Sequence, residues 1–165
     1  MEIKNYLDVY KNYENYKAVE YICQKSKERE VVFLCVGNSK IWFDSFGPMV
    51  GSLLKIIGVN NFVYGNVYSN VIPTNIAYYI ENIYKFHLNP YIVVIDSCIS
   101  KNIDDCLIFK EDSLTCSSLN KNSINVGDFF ITYTFNKEFV NDLKNYKKML
   151  KKVKELISYF KLVFN

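Results

Sequence analysis

The sequence predicts an α/β fold, a three-layer α/β/α domain on a twisted, mostly parallel sheet. Two observations carry this. The runs "VVFLCV" (Val31–Val36) and "YIVVID" (Tyr91–Asp96) are continuous apolar stretches of strand length. Lack of alternation marks strands buried on both faces, as in a parallel sheet. Around them lie segments with apolar residues at helical spacing, so helix and strand alternate and imply βαβ crossovers.

Each element has its own signal. Residues 1–28 form an N-terminal helix with Leu7, Tyr10, Tyr13, Tyr16, Val19, Ile22 and Cys23 at helical spacing, broken by "KSKERE". After the first strand, Pro48 suits the first turn of a helix, where its missing N–H would be unpaired anyway. Met49, Val50, Leu53, Leu54 and Ile57 then make one apolar face, and Gly58 stops it. "NFVYGNV" is a second strand, and Pro73-Thr74-Asn75 opens a helix with Ile76, Tyr79, Ile80, Ile83 and Tyr84 on one side. Pro90 ends that pattern and the third strand follows. Residues 102–125 are polar and irregular, with a short strand at Cys106–Phe109; "DFFITYTF" is a further strand. Residues 137–164 form a long amphipathic helix with Phe139, Leu143, Tyr146, Leu150, Val153, Ile157 and Phe160. With no repeat or linker, the 165 residues form one domain, whose sheet core spans 31–136.

Half the residues are apolar and 22% are charged, ordinary for a globular protein. The net charge of +3 is uneven: the segment from Lys137 onward carries +5 and the rest −2. Its lysines lack interleaved Arg and Gly, so a solvated helix face is expected rather than a nucleic-acid partner. The five cysteines (Cys23, Cys35, Cys98, Cys106, Cys116) form no C-x-x-C pair, and Cys35 and Cys98, in or just after apolar strands, are expected to act as small hydrophobes. No secretory signal opens the chain and no run reaches the ~20 apolar residues of a membrane span, so a reducing cytoplasmic location is expected. Oligomeric state is left open, a homo-oligomer included.

Functional groups of open α/β sheets collect beyond the carboxyl ends of parallel strands. Asp44, in the loop after the first strand, and Asp96, closing "YIVVID", meet that rule. Asp128 precedes a strand, so it falls at the opposite edge if that strand is parallel and not if it is antiparallel. Two carboxylates in one cleft can split their pKa values, one serving as base and the other as acid, which suits amide hydrolysis. Each has a simpler role when taken alone. Asp44 or Ser45 would cap the helix at Pro48, contributing ~1 kcal/mol, and Asp96 would accept backbone N–H bonds. Other chemistries have less support. "GNSKIWFDSFG" is no phosphate loop, Ser45 and Ser97 lack a G-x-S-x-G context, and the lone His87 sits at a predicted helix C-terminus, where the dipole favours it. Without ordered Cys/His spacing, no metal or other cofactor is expected.

Four segments in order, "FLCVGNSKIWFDSFGPMVGSLL", "VYGNVYSNVIPTNIAYYI", "PYIVVIDSCIS" and "SLNKNSINVGDFFITYTFN", resemble the successive blocks of YyaC-type sporulation proteins. That family is similar to the germination protease of spore-formers and, more distantly, to hydrogenase maturation endopeptidases. The resemblance covers Val31 to Asn136 and a C-terminal helix. It implies a phosphorylase/hydrolase-like fold and an aspartate-dependent endopeptidase that hydrolyses small spore or sporulation proteins in the forespore or mother cell. By motif, the catalytic pair of the germination protease falls on Asp44 and Asp96. Asn38 and Ser45 would be their loop neighbours, and Asn120 and Lys121 would supply polar contacts to the peptide. Ser45 stands where the maturation endopeptidases carry a nickel-ligating Glu, and "TCSSLNKN" replaces a Gly-rich turn. A non-catalytic sporulation protein that keeps the fold as a binding module is the alternative.

Overall fold

The computed structural model describes residues 2–101, 103, 105–117, 123–136 and 143–164. In chain order they form α1 (Glu2–Lys25), β1 (Glu30–Cys35), a 3₁₀ turn (Trp42–Asp44), α2 (Phe46–Ile57), β2 (Phe62–Tyr64), α3 (Ile76–Phe86), β3 (Pro90–Ser100), β4 (Cys106–Lys110), β5 (Leu114–Ser117), β6 (Ser123–Val126), β7 (Phe129–Asn136) and α4 (Leu143–Phe164). The main sheet has the order β2-β1-β3-β7-β4. All its pairings are parallel except that of β4 with β7.

The continuous apolar runs become the centre of this sheet because both of its faces are covered. Phe33 and Cys35 of β1, Val93 and Ile95 of β3 and Ile131, Tyr133 and Phe135 of β7 point to one side, against α1, α2 and α4. Val32 and Leu34 of β1 and Ile92 and Val94 of β3 point to the other, against Ile76 and Ile83 of α3. The basic C-terminal helix is therefore anchored by an apolar stripe: Met149, Val153, Leu156 and Phe160 are buried on it, each removing apolar surface worth ~1.5–3 kcal/mol.

Three elements depart from the sequence expectation. β3 runs on to Ser100 instead of ending at Asp96, because Ser97 to Ser100 continue the ladder with β7. The supposedly irregular stretch contains a hairpin, β5 paired antiparallel with β6 as a separate two-stranded sheet. Its strands are four residues each, too short for their apolar–polar alternation to announce it. Third, α4 begins at Leu143; residues 137–142 of the predicted helix lie outside the described residues. Among the described residues no helix is long and apolar enough to cross a membrane.

The parallel pairing of β3 with β7 fixes the open question about Asp128, which stands at the amino edge. Arg29 Nη1 and Nη2 donate to its two carboxylate oxygens at 2.9 and 3.1 Å, and the Ile92 N–H donates at 2.9 Å. His87 is likewise structural, its ring nitrogens 2.8 Å from the Tyr64 hydroxyl and 3.2 Å from Glu30 Oε2.

At the carboxyl edge α2 starts in direct contact with the strand ends. A Cβ on Gly47 would lie 2.1 Å from the Val36 carbonyl oxygen and 2.6 Å from that of Ile95. Backbone atoms cannot yield as a side chain would, so Gly47→Ala is expected to push α2 off the sheet and cost about 2–3 kcal/mol. Urea unfolding followed by circular dichroism measures this, with Gly58→Ala, which meets open space but also has positive φ, as a control for backbone strain.

Candidate active site

The loop that carries Asp44 is folded back on the end of β1. Val36 N–H donates to Ile95 O and Gly37 N–H to Val71 O, both at 2.8 Å, which ties the strand end to β3 and to the chain before α3. Gly37 has φ +134°, and a Cβ there would sit 2.1 Å from the Asp44 carbonyl oxygen; only glycine permits this reversal. The following turn is held by aromatic packing. The Trp42 and Phe43 rings lie 5.7 and 6.2 Å from Phe135, and Trp42 is 6.3 Å from Tyr146 of α4. With those side chains on the α4 face, Asp44 is left on the cavity side.

Neither Asp44 nor Ser45 caps α2. The Asp44 Oδ2 accepts the Asn38 N–H at 2.9 Å, and the helix has no side-chain cap from Ser45, whose hydroxyl donates to Trp42 O at 2.7 Å. Asn38 thus meets the site through its main chain, while its own Oδ1 accepts the Lys40 N–H at 3.0 Å. Ser45 is buried and borders a different depression, with Trp42, Met49 and Tyr146. The Ser45 side chain is thus turned away from the acids. Among the described residues no three His, Cys, Asp or Glu side chains are grouped to hold a metal. Asn120 and Lys121 lie outside the described residues.

Asp96 sits inside β3, opposite Thr132 of β7. Its Oδ1 accepts the Ser97 N–H at 2.7 Å, and the Ser97 hydroxyl donates to Phe43 O at 2.9 Å. Ser97 therefore links the two acids, its amide on one carboxylate and its hydroxyl on the turn that carries the other. Burial raises the Asp96 carboxyl to about 7, opposed by the Ser97 N–H and assisted by the negative charge of Asp44. Asp44 is also raised by burial, with the Asn38 N–H opposing.

Both acids line one cavity of about 540 Å³, with Val36, Pro73, Ile76, Ile108 and Phe130 as apolar walls. It opens on the sheet face where Ile76 and Ile83 of α3 pack over β1 and β3. Beyond it, Thr115 of the β5–β6 hairpin reaches the same cavity. Sequence reasoning missed five polar lining residues, Ser97, Cys98, Thr115, Thr132 and Thr134. Three were within reach of period-two counting, since Cys98 lies two residues from Asp96, and Thr132 and Thr134 share a face of β7. Cys98 is exposed rather than an inert core thiol. Burial of its sulfur and the nearby Asp96 raise its pKa.

The Asp96 environment makes stability depend on pH. A carboxyl that titrates near 7 when folded and near 3.8 when unfolded holds its proton more tightly in the native state. Stability is thus undiminished below the unfolded value, falls as pH rises from about 4 to 7, and then levels off. Asp96→Asn, which mimics the neutral form, is expected to match wild type at pH 4 and exceed it at pH 8 by an amount of the order of 2–4 kcal/mol. Urea midpoints across this pH range test the prediction; a constant difference between the two proteins would refute it.

Residues 5–161 match the family described as protein of unknown function (DUF1256). Over 79 residues the chain is 33% identical to the uncharacterised protein YyaC of Bacillus subtilis (strain 168), covering 47% of this chain and 38% of YyaC. The matched region thus spans well under half of that relative. In fold, the chain is similar to the crystal structure of a [NiFe] hydrogenase maturation protease, HycI from Thermococcus kodakarensis KOD1. The TM-score is 0.53 at 13% identity, covering 86% of this chain and 99% of that one. The fold is thus shared with HycI, and the family match over nearly the whole length assigns the chain to the DUF1256 family.

Proposed function

We propose that the protein is an aspartate-dependent endopeptidase of sporulating bacteria that hydrolyses peptide bonds in small spore or sporulation proteins in the forespore or mother cell. The observation that carries the reading is the unequal pair of carboxyls in one cavity: Asp96 raised to about 7 by burial and by the charge of Asp44. Asp44, held by the Asn38 N–H, is the base, and Asp96 is the acid. Asp44 takes a proton from a water molecule as the water oxygen bonds to the amide carbon. Asp96 gives its proton to the amine as the carbon–nitrogen bond breaks. Exchange with solvent then returns the proton from Asp44 and restores the one on Asp96. The apolar cavity walls exclude competing water and would receive an apolar side chain of the peptide. The substrate class follows from the ordered sequence blocks that resemble YyaC-type sporulation proteins, and the protease fold of HycI is compatible with the chemistry.

The test is incubation of wild type, Asp44→Asn, Asp96→Asn and the double variant with purified small spore proteins, followed by mass spectrometry. Each single variant is expected to lose about 10²–10⁴-fold in rate, with the double variant little worse than either. Activity should fall on the acid side as Asp44 takes up a proton, and on the alkaline side as pH passes about 7 and Asp96 loses its own. A wild type that cleaves none of these proteins, with Asn variants that still support sporulation, would overturn the reading.

A further inference from the structure

Four hydroxyl side chains line the cavity, and three are engaged by the protein. Ser97 Oγ donates to Phe43 O at 2.9 Å, Thr115 Oγ1 to Asn125 Oδ1 at 2.9 Å, and Thr134 Oγ1 to Cys106 O at 3.2 Å. The fourth, Thr132, is 5% exposed, and its Oγ1 is buried with no hydrogen-bond partner among the described residues. A buried hydroxyl without a partner is destabilising. Valine would fill the same volume of a β-strand without that cost, so packing alone does not explain the threonine. Another orphan, the Tyr91 hydroxyl, belongs to a residue on the opposite sheet face, where Arg29 lies 4.9 Å from its ring, and has no part in this cavity.

The register places Thr132 beside Asp96 on the cavity face of the sheet. Thr132 is paired with Asp96 on the neighbouring parallel strand, and paired residues of adjacent strands project to the same face about 5 Å apart. We infer that the Thr132 hydroxyl binds the carbonyl oxygen of the peptide bond beside Asp96, an inference that rests on the endopeptidase reading. As water adds to the carbonyl carbon, negative charge grows on that oxygen, and a donor already fixed by a buried strand stabilises it without reorganising. No covalent bond to Thr132 forms, and its proton stays on the hydroxyl.

The experiment compares wild type, Thr132→Val and Thr132→Ser on the spore proteins, with carbon-13 NMR titration of the Asp96 carboxyl in each free protein. Thr132→Val keeps the shape and is expected to lower kcat about 10-fold or more with little change in KM, while Thr132→Ser, which keeps the hydroxyl, stays near wild type. The Asp96 titration midpoint should be unchanged in Thr132→Val, because the two groups share no bond in the free protein. Wild-type kinetics in Thr132→Val would overturn the inference and leave the peptidase reading intact. A loss of rate accompanied by a shifted Asp96 midpoint would overturn it as well, making Thr132 a residue that acts through Asp96. If wild type cleaves nothing, the peptidase reading fails by itself. The contact is then judged with N-methylacetamide, the simplest peptide-bond probe. A Thr132 methyl NMR shift on its addition, absent at the neighbouring Val94 methyls and lost for the remaining resonances of the cavity in Thr132→Val, would uphold an amide contact; no shift would overturn it.

Discussion

The arrangement depends on one parallel pairing, that of β1 with β3 from Glu30↔Pro90 to Cys35↔Ile95. Because the strands start together and stay in register until β1 ends, the chain leaves β1 at the height where Asp96 interrupts the apolar run of β3. The bond from Val36 N–H to Ile95 O extends this alignment by one residue. A one-residue slip would turn Asp96 and its neighbours to the α2/α4 face and break the site. Gly37 and Gly47 protect the junction in complementary ways. The first lets the loop fold back against Asp44, and the second lets α2 begin against the same strand ends.

Once two acids share such a junction, their charges cannot be solvated equally. Asp96 is set in a strand under the cavity, where burial outweighs the single N–H it receives. Asp44 lies at the end of a loop turn, and its charge further penalises ionisation of Asp96. Ser97 ties the two acids together: its amide faces one, tempering the effect of burial, and its hydroxyl fixes the turn bearing the other. Differences in environment of this kind separate acid from base in carboxylate pairs.

Much of this was legible in the sequence, for identifiable reasons. "VVFLCV" and "YIVVID" are buried on both faces, so their composition alone announces parallel strands, and the strand-end rule then reaches Asp44 and Asp96. The β5–β6 hairpin was not legible, since its strands are four residues each and their alternation is too short to stand out from the polar stretch around them. The use of Ser45 was hidden too. A serine before Pro48 has the sequence signature of a helix cap, but tertiary packing gives its hydroxyl to Trp42 O. Thr132 was written in the period of β7, yet only the structure shows that its hydroxyl goes unpaired while that of Thr134 does not.

The two edges of the sheet show how the same side chain acquires different roles. Asp128, at the amino edge, receives both arms of the Arg29 guanidinium and the Ile92 N–H. Three fixed donors hold its two carboxylate oxygens, so it braces the strands. At the carboxyl edge, Asp44 and Asp96 each accept one backbone N–H among the described residues and face no cation there. Evenly distributed donors would have given the three aspartates similar surroundings. Instead the chain places its arginine at one edge and leaves the carboxyls of the other under-solvated around a cavity, together with a threonine hydroxyl that lacks a partner. Stability alone would favour satisfying these groups. Their concentration on one side of one cavity is the physical ground for locating function at the carboxyl edge.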